Sequence, residues 1–174
     1  MRTNIDSSRA LDERDTLLGF LDYYRNELIR QCDGLSDEQA RTTSVPPSDL
    51  NLMGLIRHMA EVERYWFRQV LVNEDVKSIW SNEAHPTGDK DGDIHATSSD
   101  TSSESIVQLR AEISIADVNI AKFELDDMAA RDAAFGGTGV PNVRWILVHM
   151  IEEYARHCGH ADLIRECIDG RKAD

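Results

Sequence analysis

Within the segment VHMIEEYARHCGHADLIRE, residues 148–166, His149, Glu153 and His157 recur at intervals of four, and His160 follows three positions later. On an α-helix those intervals stack side chains into one slowly drifting column. Glu153 offers an anionic oxygen and His157 a neutral imidazole nitrogen, so the column can present two ligands to one divalent ion. His58 can add a second nitrogen from another helix. A set of two histidines and one glutamate leaves at least one coordination position for water or substrate, as a catalytic site requires and a closed structural site does not. Ordinary polar packing accounts for the same spacing: a histidine beside an apolar stripe is commonly a satisfied rim residue, and Glu153 can pair with Arg156 or Arg57. Cys158 adjoins His157, but neighbouring helical residues point about 100° apart, which does not make a thiolate–imidazole pair.

The elements that must position these residues are written in apolar periodicity. Residues 11–32 place Leu17, Leu21, Tyr24 and Leu28 at helical spacing, and Gly34 ends that helix. Ser36-Asp37-Glu38-Gln39 has the form of a capping box for a short helical turn, and Pro46-Pro47 breaks the chain. A second long helix over 51–71 carries Leu52, Leu55, Ile56, Met59, Val62 and Trp66 inward, with Arg57, Glu61, Arg64 and Arg68 mostly on the other side. The polar stretch 73–102, with Pro86, Gly88 and Gly92, has no period and reads as a flexible crossover or lid holding exposed His85 and His95. A third helix begins near Ser103 with Ile106, Leu109, Ile113, Ile120 and Phe123 inward. The last spans 142–168, starting beside Pro141 and stopping at Gly170. The expected fold is all-α: one domain over 1–174, a four-helix bundle with a long crossover between the second and third main helices.

Composition narrows the function classes. Lys and Arg total 19 against 32 Asp and Glu, a formal charge of −13, which argues against a protein that grips a phosphate backbone. No run approaches the ~18 apolar residues of a membrane span. The start, MRTNIDSSRALDERD, lacks the apolar core of a secretory signal, so a cytoplasmic location is expected. Cys32, Cys158 and Cys167 form no CxxC and are expected to be reduced. Trp66, Trp80 and Trp145 suit helix packing, with cavity lining as the alternative.

Four stretches in order, LDERDTLLGFLDYYRNELI, GLSDEQAR, LMGLIRHMAEVERYWF and WILVHMIEEYARHCGHADLIRECIDG, resemble the DinB/YfiT-like superfamily of four-helix-bundle metalloproteins. Within it the chain is most similar to the DUF664 branch, which includes the mini-circle proteins. The resemblance covers nearly the whole chain and is weakest through 73–102. It implies a divalent metal, zinc or nickel foremost, held by His58, Glu153 and His157. Many relatives have histidine at the middle position; related thiol-dependent isomerases have glutamate, as here. His160 then falls where it can orient a ligand or touch substrate, and His149 lies one turn before Glu153.

The resemblance further implies a metal-dependent enzyme in which the ion activates a thiol or water. The concrete form is a low-molecular-weight-thiol S-transferase or thiol-dependent isomerase acting on a small electrophile. The alternative is a non-enzymatic helical bundle in stress response or homodimeric assembly. Neither nucleic acid nor membrane is an expected partner.

Overall fold

The computed structural model describes residues 12–80, 89–133 and 139–172. His85, Pro86 and Gly88 of the expected crossover and the expected helix start at Leu11 lie outside them. Every regular element among the described residues is helical: α1 (Glu13–Arg30), α2 (Asp37–Ala40), α3 (Leu52–Arg64) continuing as a π-helical segment (Tyr65–Val70), α4 (Ser102–Ile120) and α5 (Val143–Asp169). α1 packs along α5, α3 along α4, and α3 also meets α5. None of these helices is long and apolar enough to cross a membrane.

The ends follow local chemistry. Asp12, Ser36, Asn51, Thr101 and Asn142 each accept a backbone N–H from the first turn of the helix they open, satisfying a donor that has no intrahelical partner. Ser36 and Gln39 form the reciprocal capping box. α5 ends at Gly170, whose φ of 79° is left-handed. The third long helix ends at Ile120, so Phe123 packs from the following turn.

One departure from regular helix falls beside the candidate site. The Leu71 amide donates to Trp66 O at 2.9 Å, the i→i−5 bond of a π turn, where regular α-helix was expected through residue 71. The wider turn is supported from α4, where the buried Asn119 amide donates to Phe67 O at 3.0 Å. Trp66 and Phe67 are buried here.

The second departure concerns α3. Arg57, placed by periodicity on the outer face, is 2% exposed. The crossover covers that face: Arg57 donates to Gly92 O at 2.7 Å, lies 2.9 Å from Asp100 Oδ2, and sits over the Trp80 ring at 4.8 Å. Glu61 Oε1 accepts the Ile79 and Trp80 backbone amides at 2.5 and 2.7 Å, and the Asn51 side-chain Nδ2 donates to Ile94 O at 3.1 Å. His95 is exposed, as expected, between Asp89 and Asp49, whose hydrogen bonds raise its pKa.

Gly54 is what lets the crossover lie so close. A Cβ there would meet Ile94 O at 2.4 Å, whereas one at Gly159 on α5 meets nothing within 4 Å. Replacing a helical glycine by alanine ordinarily stabilises by about 1 kcal/mol. Thermal melts are therefore expected to give opposite signs. Gly159→Ala should raise stability by ~0.5–1 kcal/mol, and Gly54→Ala should lower it by ~1–3 kcal/mol because backbone must move.

Candidate metal centre

Along α5 the buried residues Met150, Tyr154, Cys158 and Ala161 form the core stripe. His149, Glu153, His157 and His160 each precede one of them by a single position, which turns the column about 100° from the core axis. They therefore occupy the rim, half-buried, where a polar group can face a cleft without losing all contact with water. His58 stands on α3 between buried Arg57 and Met59, also half-buried.

The two helices bring the expected residues together. The His58 and His157 rings meet edge-on with centroids 4.9 Å apart. His157 Nε2 lies 3.6 Å from Glu153 Oε2. Two donors ~2.0–2.1 Å from one tetrahedral ion stand roughly 3.4 Å apart, so this spacing suits shared coordination. His160 Nδ1 is 3.4 Å from His157 Nδ1, on the side of the ring away from the nitrogen nearest Glu153. Burial, with His58 and His160 adding to it, pushes the His157 imidazole down to about 4, which keeps it neutral and its lone pair available near pH 7.

The nearest partner of His58 is a residue that periodicity and motif spacing do not single out. Asp93 Oδ2 is 2.7 Å from His58 Nδ1. Burial opposes ionisation of Asp93, yet the hydrogen bond and charge interaction with His58 hold its carboxyl below the usual range. A carboxylate on one imidazole nitrogen fixes the tautomer and leaves the other as lone-pair donor, the usual outer partner of a metal-ligating histidine. Asp93 lies in an aperiodic segment, and its aspartate identity was the sole signal available. The donor chemistry of His58, Glu153 and His157 suits a divalent ion, and the His157–Glu153 spacing suits coordination of one ion by that pair.

His149 joins Glu153 on the other side, with Nε2 3.6 Å from Glu153 Oε1. Ligand atoms of His149, Glu152 and Glu153 all lie within 4.8 Å of one another; among the described residues this is the trio that converges so tightly, and it shares Glu153 with the expected set. Glu152, however, is exposed and pairs with Arg156. His149 stacks on Trp145 at 5.0 Å and meets Trp66 edge-on at 4.7 Å.

A cleft of about 390 Å³ opens beside these groups, lined by His58, Asp93, Glu153 and His149 with Tyr65 and Trp66 of the π segment. Trp66 thus both packs and lines a cavity. Cys158 takes no part: its thiol is directed at Tyr24 O, 3.6 Å away, and burial pushes its pKa up to about 12. Cys32 is buried likewise, and Cys167 is exposed.

No curated protein matches the chain. The family model described as Mycothiol-S-transferase matches residues 16–170. The chain belongs to the mycothiol-S-transferase family, within the DinB/YfiT-like superfamily.

Proposed function

We propose that this protein is a metal-dependent thiol S-transferase, built on a DinB-like four-helix bundle of α1, α3, α4 and α5, with His58, Glu153 and His157 as the ligands. The observation that carries the reading is the convergence of two imidazoles and one carboxylate from α3 and α5 at the edge of a cleft. The family name supplies the thiol, mycothiol, and zinc or nickel suits the donor set. A divalent ion bound there supplies the positive charge that favours the thiolate form of a bound thiol at neutral pH.

The chain's own residues do the rest. His58 and His157 bind as neutral donors, Glu153 adds one negative charge, and Asp93 and His160 each engage the Nδ1 nitrogen of a ligand ring. Tyr65 and Trp66 line the apolar side of the cleft and limit water beside the nucleophile. In the transfer, the thiolate sulfur donates an electron pair to an electrophilic carbon. A C–S bond forms and the leaving group departs with its own bonding pair.

The test combines metal analysis with transfer. The protein purified without chelator should carry about one divalent ion per chain. With mycothiol and chlorodinitrobenzene it should release chloride faster than protein-free solution, and chelation should remove that excess. A chain that takes up no zinc or nickel, or one that is metal-loaded yet shows no transfer across electrophile classes, contradicts the proposal.

A further inference from the structure

The carboxylate on His58 comes from neither helix of the candidate centre. It comes from the crossover, 35 residues beyond His58, at a position fixed from both sides in sequence. Gly92 O accepts from the buried Arg57, and Ile94 O accepts from Asn51 and rests against Gly54. Asp93 lies between these two anchored carbonyls, so its carboxylate is presented to α3 at a set distance. Its side chain is 14% exposed, dry enough for the hydrogen bond to hold against water.

A neutral imidazole free in water prefers its proton on Nε2. With the proton there, the nitrogen of His58 left to ligate would be Nδ1, which faces Asp93. An acceptor at 2.7 Å from Nδ1 reverses that preference, because only the Nδ1–H form can donate to it.

We infer that Asp93 is the positioning residue for His58, holding it as the Nδ1–H tautomer with the Nε2 lone pair free to ligate. The inference rests on the metal-centre reading only for its consequence. The tautomer itself is a property of the metal-free chain. The crossover thereby acquires a role beyond connection, since a segment with no periodicity supplies the group that readies a helix residue for binding.

The test uses the full chain, metal-free after chelation, as wild type, Asp93→Ala and Asp93→Asn, with thermal melts to confirm folding. Long-range proton–nitrogen NMR correlations of the histidine rings report which nitrogen of His58 carries the proton. A chelating dye in competition then reports zinc affinity. The wild type is expected to show Nδ1–H. Asp93→Ala should move His58 toward Nε2–H and weaken zinc binding ~10–100-fold. Asp93→Asn keeps a neutral acceptor and should fall between. Should the alanine variant fail to fold, the asparagine variant carries the comparison, with the same direction and a smaller shift. A wild-type His58 protonated on Nε2, or tautomer populations unchanged by both substitutions, overturns the inference. A tautomer that follows Asp93 in a chain that binds no zinc supports the positioning role and removes the metal reading instead.

Discussion

Glu63→Gln is expected to destabilise the protein by about 3 kcal/mol, the low end of the range for breaking a buried ion pair. Arg25 and Glu63 are 2% and 0% exposed at their side chains and meet in a bidentate pair, Nε to Oε1 at 2.7 Å and NH2 to Oε2 at 2.8 Å. Tyr154 donates to the same carboxylate at 2.8 Å. Burial opposes the charge on Arg25, yet Glu63 outweighs it and raises the pKa. A neutral amide at position 63 leaves that guanidinium desolvated, with only its NH1 edge paired to Asp117 and Asp22 at 2.9 and 3.2 Å. Those two remaining carboxylates are why the low end applies.

For a chain of this length the loss corresponds to roughly 6–12 °C in Tm. Removing the whole polar set should cost far less, because a buried pair attracts little more than its own desolvation consumes. The triple variant Arg25→Met, Glu63→Leu, Tyr154→Phe is therefore expected to recover most of the lost Tm. Calorimetry that found Glu63→Gln within a degree of wild type would show the pair to be solvated.

His157→Ala and His58→Ala carry the largest expected effect on activity. Each removes one of two neutral nitrogen donors, and Glu153 with a single imidazole holds a divalent ion weakly. Metal content measured by elemental analysis should fall from about one per chain to a small fraction, and transfer should fall to the protein-free rate. Stability of the metal-free chain should change little, since both rings sit at the rim, His58 29% and His157 12% exposed at the side chain. His149→Ala is the control: it removes a member of the other constellation and should leave metal content intact. The opposite pattern, metal lost with His149 and kept without His58, would relocate the centre.

The α5 column was legible because one helix carries it, and a helix converts spacing into geometry. Ser36 and Gly170 were legible for a similar reason, since caps are local chemistry, whereas α1 closes at Gln31, three residues before the expected Gly34. The meeting of His58 with His157 needed the packing of α3 against α5, which the family resemblance supplied and periodicity did not. Arg57 was assigned to the outside because α3 has one strongly apolar face. The crossover and its Trp80 ring cover the other face, a tertiary contact with no local signature. Glu63 and Arg25 escaped notice for the same reason: each reads as a surface charge until its partner is placed beside it. Asp93 is the extreme case, one aspartate among many in an acidic chain, distinguished solely by where Arg57 and Gly54 pin its neighbours.

Glu153 belongs to both constellations, so metal stoichiometry alone does not say where an ion sits. Anomalous diffraction from crystals of the protein purified without chelator, collected at the absorption edge of the metal found, locates it directly. The expected result is a single peak within bonding distance of His58 Nε2, His157 Nε2 and a Glu153 oxygen, with Asp93 still on His58 Nδ1. A peak held by His149, Glu152 and Glu153, with no density between His58 and His157, would contradict a centre built on His58 and His157.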